Sequence, residues 1–477
     1  MRDLEARDPR NPYPVKLLGE DLVVWKDPKG GWKAFADRCP HRWAPLSEGR
    51  VDQKSGRLQC MYHGWEFEGD GTCGNIPQAD PAIRDNAQGS KRACATVIPT
   101  KVVQEKLWLW PDTSPEGLQA SECVSPAIVP DMDNPDFGGN WYVRDLPYGF
   151  DTLVENLADP AHVPFAHHGI MGTRDMGTPM GVVMEKGIGE DAFRTEETGF
   201  AGRRNMVVGF EAPNMVYYRS DYANVLPELL KGLPAPLKLL VSVVNLFQLD
   251  KRFSMKPEER VNPSDAVISY FVGYAVPTLP GQCRIFTRTG RNFFLQHPVI
   301  PRRWRNSLAK EHLSQHGVVD GDTPALHVQE RILARAEKLG GAQAERTFYM
   351  PTNADATVRA FRKWYNSRGG GGPTWAKGID GSDLGPILPR EKMLDRMASH
   401  TRDCSACSKA YRVSGKVKRA SIGAALVLLA AAAAVPRGPL SLWFAGGAVA
   451  ATGLSRTMDK RQQKFVFVDY VHATRDG

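Results

Sequence analysis

Two short pairs of metal ligands, Cys39-Pro-His41 and Cys60-Met-Tyr-His63, constrain this chain more than any other feature, because four side chains from two nearby loops have to meet at one centre. Cys2His2 is also a common zinc shell. Zinc modules, however, usually pair like with like, as C-x2-C then H-x3-H, whereas here each loop supplies one Cys and one His. That alternation fits a 2Fe-2S cluster in which two thiolates hold one iron and two neutral imidazoles hold the other, raising its reduction potential. Trp43, Tyr62 and Trp65 are expected to exclude water and tune the centre, and Pro40 and Gly64 to turn the loops.

A centre of that kind carries electrons, and the chain holds a place for them to go. The segment from Glu155 to His167 gathers Asn156, Asp159, His162 and His167 behind the apolar Leu153 and Val154. Two His with a distant carboxylate make the facial triad of a non-haem Fe(II) site, which leaves positions open for O2. Asp159 then acts as an outer partner that accepts the free ring N–H of His162. Taken alone, two such His more often mark satisfied surface or core residues. The upstream Cys/His pairs turn the reading toward iron.

N-x-x-D-x-x-H-x4-H combined with C-x-H and C-x2-H resembles the Rieske non-haem iron oxygenases. The stretch D-P-A-H-V-P-F-A-H is similar to their plant and algal branch, the pheophorbide a oxygenase family with chlorophyllide a oxygenase and the Rieske proteins of the chloroplast inner-envelope translocon. The resemblance runs from about Tyr13 almost to the C-terminus. It implies a Rieske cluster on Cys39, His41, Cys60 and His63, and a mononuclear Fe(II) on His162, His167 and a downstream Asp, with Asn156 and Asp159 as catalytic residues. The matching Asp is Asp322, in V-V-D-G-D-T-P-A-L-H-V-Q-E-R, and Asp320 lies two residues before it. Ala325, Leu326, Val328 and Ile332 have helical spacing, which places Asp322 at a helix start. There it reads equally as an N-cap ahead of Pro324. The resemblance also implies a homotrimer in which the cluster of one subunit serves the iron of the next, with Asp159 bridging a His ligand of each.

The fold class expected is α+β: an all-β Rieske domain over 1–112, a connection over 113–135, and a catalytic domain with a curved antiparallel sheet over 136–365. The Pro-broken, Leu- and Val-rich stretch 224–249 reads as a lid over an apolar substrate or as a packed core loop. Trp364 to Trp375, with four consecutive Gly, reads as a flexible connection into an extension over 366–415. There Cys404-Ser-Ala-Cys407 reads as a redox-active dithiol or half of a zinc site whose other ligands come from elsewhere. The resemblance favours a pair responsive to thioredoxin.

Two apolar runs, Ser421 to Val435 and Ser441 to Leu454, flank Pro436-Arg-Gly-Pro439 and are bordered by Lys416, Lys418, Arg419, Arg456, Lys460 and Arg461. They read as a helical membrane hairpin over 416–461, with a tail over 462–477. Both ends then lie on the side that holds the catalytic domain. A buried helical pair in a soluble protein competes with this reading, and the Ala-rich runs suit close helix packing. A net charge of +8 suits an anionic membrane surface or an acidic partner such as ferredoxin. Lys and Arg are scattered and no nucleic-acid motif is present, which argues against a nucleic-acid partner. The eight cysteines are spaced irregularly and imply a reducing compartment rather than a secreted disulfide framework. Met1 to Asp8 has the character of neither a signal peptide nor a transit peptide, so targeting information is expected outside it.

These features together point to an O2-dependent oxygenase of a hydrophobic tetrapyrrole such as pheophorbide a, chlorophyllide or protochlorophyllide. Its expected place is a chloroplast membrane, inner envelope or thylakoid, with the catalytic part in the stroma. The alternative is an electron-transfer or redox-sensing subunit of the inner-envelope translocon.

Overall fold

The computed structural model describes residues 1–135, 137–189, 191–198, 206–221, 267–292, 307–339 and 347–472. The stretch 224–249 lies outside them.

Alternating apolar residues build the N-terminal part. Strands β1 (Tyr13–Leu17), β2 (Glu20–Asp27), β3 (Gly31–Ala36) and β8 (Val97–Ile98) form one antiparallel sheet. A second holds β4 (Arg50–Val51), β5 (Leu58–Gln59), β6 (Glu66–Phe67) and β7 (Cys73–Asn75), and β9 (Thr100–Val103) pairs with β10 (Lys106–Leu109). Val23, Trp25, Phe35, Leu46, Leu58 and Phe67 fill the core between the first two sheets, and Cys39 and Cys60 lie at its edge. The expected connection carries helix α1 (Pro115–Cys123), where Ser114 caps the N-terminus by accepting from the Gly117 N–H at 3.0 Å.

A seven-stranded antiparallel sheet follows, ordered β11-β17-β16-β15-β14-β13-β12. Its edges are β11 (Trp141–Leu146) and β12 (Gly181–Lys186), and β13 (Ala192–Thr198), β14 (Met206–Glu211), β15 (Met215–Asp221), β16 (Ile268–Leu279) and β17 (Gln282–Arg291) lead back from β12 to lie beside β11. The chain therefore crosses from one edge of the sheet to the other between β11 and β12, and this crossing carries His162 and His167. It opens with helix α2 (Phe150–Ala158), which buries Phe150, Leu153, Val154 and Leu157 at the i, i+3, i+4, i+7 spacing of a helix face.

Helix α3 (Leu308–Lys338) is long, and its buried face is polar: His312, His316, Asp320, Thr323, His327 and Glu330 recur at helical spacing. Of the apolar residues at helical spacing, Ala325 and Ile332 are exposed and Leu326 packs against the sheet core, so that spacing does not trace the buried face. Asp322 consequently sits in mid-helix, with Pro324 inside the helix as well. Several residues of this buried polar face have long-range partners. Asp320 lies between Arg144 and Arg396, with guanidinium nitrogens 2.6 Å from each of its oxygens. Glu330 accepts from the Gly149 N–H at 2.7 Å, and burial pushes its carboxyl up to about 7.

Trp364 does not begin a loose connection. It belongs to helix α4 (Ala356–Ser367), and its ring lies 4.6 Å from that of Phe210 in the sheet core. The Gly-rich turn after it folds back on α4 through the Gly369 and Gly371 N–H groups, and Ala376 N–H then donates to the Leu18 carbonyl at 2.8 Å. Gly370 and Gly371 have φ of +67° and +77°, a conformation that favours glycine.

Two helices follow, α5 (Ser405–Ala434) and α6 (Pro439–Gln463), antiparallel and joined by a short turn. Lys418 pairs with Asp459 at 2.6 Å, and Gly447 lies against Leu428 where a Cβ would come within 3.2 Å of that side chain. Among the described residues α5 is the helix long and apolar enough to cross a bilayer. Leu426, Val427, Leu442, Trp443 and Val449 are all exposed, so the hairpin leaves much of its apolar surface uncovered by the described residues.

Candidate functional site

The two loops of the N-terminal part share one local geometry. In the first, Trp43 N–H donates to the Cys39 carbonyl and Cys39 N–H to the Ala44 carbonyl; in the second, Gly64 N–H donates to Cys60 and Cys60 N–H to Trp65. These four distances run from 2.8 to 3.1 Å, and the fifth residue of each loop has positive φ, +61° at Trp43 and +71° at Gly64. A tight turn repeated in this way points the Cys and His of both loops to one place. Cys39 and Cys60 are both 2% exposed, whereas the His41 and His63 rings meet nearer the surface with centroids 4.6 Å apart. A buried thiol pair under an outer imidazole pair fits a mixed-ligand 2Fe-2S cluster, with the sulfur-held iron inside. Trp65 stacks on His41 at 4.7 Å. Tyr62 lies against His63 with ring centroids 4.1 Å apart, while its outer face, Trp43 and Met61 are exposed and give the tip of this module an apolar surface.

The second group forms where the crossing meets α3. His162 Nε2 and His167 Nε2 are 3.2 Å apart, and the Asp322 carboxylate reaches them at 3.8 and 3.3 Å respectively. All three donor atoms lie within 4.8 Å of one another, from residues 160 apart in sequence at the extremes. Two imidazoles and one carboxylate facing a common point fit a divalent iron with open positions. Burial disfavours a charged His162, yet the nearby Asp159 and Asp322 carboxylates outweigh it and raise its pKa above the usual value. The pocket is therefore one that favours positive charge.

Asn156 Nδ2 lies 3.4 Å from His162 Nε2. One Asp159 oxygen caps the following turn by accepting from Ala161 N–H at 2.8 Å, and the other stands 3.7 Å from His162 Nδ1, beyond hydrogen-bond length but in reach after a small rotation. Asp320 does not join this group, because both its oxygens are held by Arg144 and Arg396.

Two features of the site carry no signature in the motifs. Gly321 lets α3 approach the His167 segment: a Cβ there would lie 3.0 Å from the Ala166 carbonyl oxygen and 3.1 Å from His167 Nδ1. Tyr470, buried in the C-terminal tail, donates from its hydroxyl to the same Ala166 carbonyl at 2.7 Å. Gly321→Val is expected to push His167 off the common point. Metal analysis should then show loss of the mononuclear iron with the cluster retained.

Cys404 and Cys407 are buried at the start of α5 and face His312 and His400.

Comparison with known proteins agrees with both metal groups. Residues 1–104 match the Rieske [2Fe-2S] domain and residues 210–339 match the pheophorbide a oxygenase family. The chain is 35% identical to the chloroplastic pheophorbide a oxygenase of Oryza sativa subsp. japonica, over 99% of this chain and 84% of the relative. It is 37% identical to the chloroplastic flavonoid 8-hydroxylase 2 of Ocimum basilicum, over 90% of this chain and 76% of the relative. Among solved structures, dicamba monooxygenase bound to 3,6-dichlorosalicylic acid has the same fold, with a TM-score of 0.52 at 19% identity over 75% of this chain and 92% of that one. A Rieske 2Fe-2S cluster and a mononuclear iron are the cofactors these matches carry. The chain belongs to the pheophorbide a oxygenase family of Rieske non-haem iron oxygenases.

Proposed function

We propose that the chain is an O2-dependent oxygenase acting on a chlorophyll-related tetrapyrrole, with Cys39, His41, Cys60 and His63 holding the cluster and His162, His167 and Asp322 holding the iron. The observation that carries this reading is the convergence of His162 Nε2, His167 Nε2 and Asp322 on one point, since a plain electron carrier has no use for a second site with open positions. When bound, the cluster supplies single electrons and the Fe(II) supplies a place for O2 beside the substrate. The residues of the chain then have distinct tasks. Asp322 and the two imidazoles occupy one side of the site, Asn156 limits the movement of His162, and Tyr470 braces the backbone before His167.

Asp159 is one-third exposed and stands at the outer side of His162. In this reading it spans to a cluster-binding His of a neighbouring subunit in a homotrimer, the exposed Trp43, Met61 and Tyr62 forming part of that contact. Asp159→Ala is expected to keep both metals and lower turnover by about 10- to 100-fold, the usual cost of removing a group that orients a metal ligand. Full turnover in a metal-replete variant would refute the assignment.

The exposed apolar hairpin supports attachment to a membrane, and the basic residues at its root support a catalytic part on the same side as both hairpin ends. The relatives named above are chloroplastic, so a plastid membrane with a stromal catalytic part and a ferredoxin-like electron donor completes the proposal. Oxygen uptake and product mass with pheophorbide a, chlorophyllide, protochlorophyllide and a flavone test it. A tetrapyrrole product with one or two added oxygen atoms is expected. Oxidation of the flavone alone would replace the substrate class.

A further inference from the structure

Cys404 and Cys407 have no task in the function proposed above, yet with His312 and His400 they form a concentrated group of soft donors. We propose that these four residues make a structural zinc site that fastens the root of the α5–α6 hairpin to α3, the helix carrying Asp322.

The geometry is that of a four-coordinate shell. The four donor atoms all lie within 4.8 Å of one another. His312 Nδ1 is 3.1 Å from His400 Nε2, 3.4 Å from Cys404 Sγ and 3.5 Å from Cys407 Sγ, and His400 Nε2 is 3.3 Å from Cys407 Sγ. A tetrahedral ion with Zn–N of about 2.0–2.1 Å and Zn–S of about 2.3 Å sets N to N near ~3.4 Å and N to S near ~3.5 Å. These four donor separations thus already match edges of such a tetrahedron, and the remaining two are within 4.8 Å.

The surroundings fit as well. His400 Nδ1 stands 2.5 Å from the Val143 carbonyl oxygen, so the ring hydrogen lies on Nδ1 and Nε2 presents its lone pair. Each of the four residues is no more than 5% exposed. A closed, dry shell of two thiolates and two imidazoles suits a structural ion that needs no open position. The groove between the N-terminal sheets and the large sheet reaches His400 and Cys404, which gives an ion a route in. Binding releases the two thiol protons to solvent and leaves Zn2+ bound by two thiolates and two neutral imidazoles, with no change of oxidation state.

Two rival arrangements explain less. A hydrogen bond from His312 to His400 accounts for one edge and leaves both sulfurs without a strong acceptor. A Cys404–Cys407 disulfide of a thioredoxin-responsive pair accounts for the sulfurs and leaves the two imidazoles gathered without a purpose.

The test uses the full chain purified without chelators after growth with added Zn2+. One zinc per chain is expected beyond the three irons of the two oxygenase centres, and X-ray absorption at the zinc edge should show two sulfur and two nitrogen neighbours. Cys404→Ser/Cys407→Ser should lower zinc at least ten-fold while the visible spectrum of the cluster is unchanged. If that variant does not fold, X-ray absorption on the parent decides. Absence of stoichiometric zinc from the parent, a fourth iron in its place, zinc without sulfur neighbours, zinc retained in the folded double variant, or a Cys404–Cys407 disulfide in fresh parent protein would each overturn the proposal.

Discussion

Asp322→Ala should leave a folded protein with a normal cluster spectrum, no mononuclear iron and no measurable oxygenation. Asp322 is the carboxylate that faces both His162 and His167, and its removal leaves two imidazoles whose opposed Nε2 atoms have no anion to complete the site. Loss of an orienting group around a metal costs about 10- to 100-fold, and loss of a direct ligand from a three-residue set should exceed that. Iron analysis should fall from three per chain to two. Retention of the third iron together with turnover within ten-fold of the parent would remove Asp322 from the site.

Asp320→Ala should have a different and equally large effect, on the fold. Asp320 is fully buried between two guanidinium groups that are themselves almost wholly buried, one from β11 and one from the segment before α5. Removing it strands two charges in the interior, for which a loss of about 3–5 kcal/mol is the usual range. Thermal melting should show a large drop or an insoluble product, with both metal centres lost together. Because the cost arises from uncompensated charge, replacing Asp320, Arg144 and Arg396 jointly by apolar residues of similar volume should recover much of it. Failure of that rescue would mean the triad has a role beyond charge balance.

These adjacent carboxylates show how far local pattern reaches. The ligands of the N-terminal centre are legible because each pair sits in one tight turn, so spacing along the chain already fixes their geometry. His162 and His167 are close in sequence but become legible only in the company of the upstream Cys/His pairs. Asp322 is not, since nothing in its own neighbourhood distinguishes it from Asp320; the resemblance to a family chose it, and the partners of Asp320 explain the choice. The sequence Asp-Gly-Asp-Thr-Pro reads as a helix start because Pro favours that position. The helix continues through it because α3 is held by polar long-range contacts on its inner face, which a search for apolar periodicity does not register. Trp43 is largely exposed whereas Tyr62 packs on His63, a difference that an aromatic side chain beside a Cys or His does not reveal in sequence. His312 and His400 stand 88 residues apart, and only the packing of α3 against the root of the hairpin brings them to Cys404 and Cys407.

The tail beyond the hairpin returns to the iron site, with Phe465 buried beside the cysteines and Tyr470 under the His167 segment. A soluble version for crystallisation should therefore be made by excising the apolar part of the hairpin and bridging the gap with a short polar loop. Cutting the chain before α5 would discard the strut along with the apolar helices, and the resulting protein is expected to be poorly metallated because the His167 segment loses its Tyr470 support.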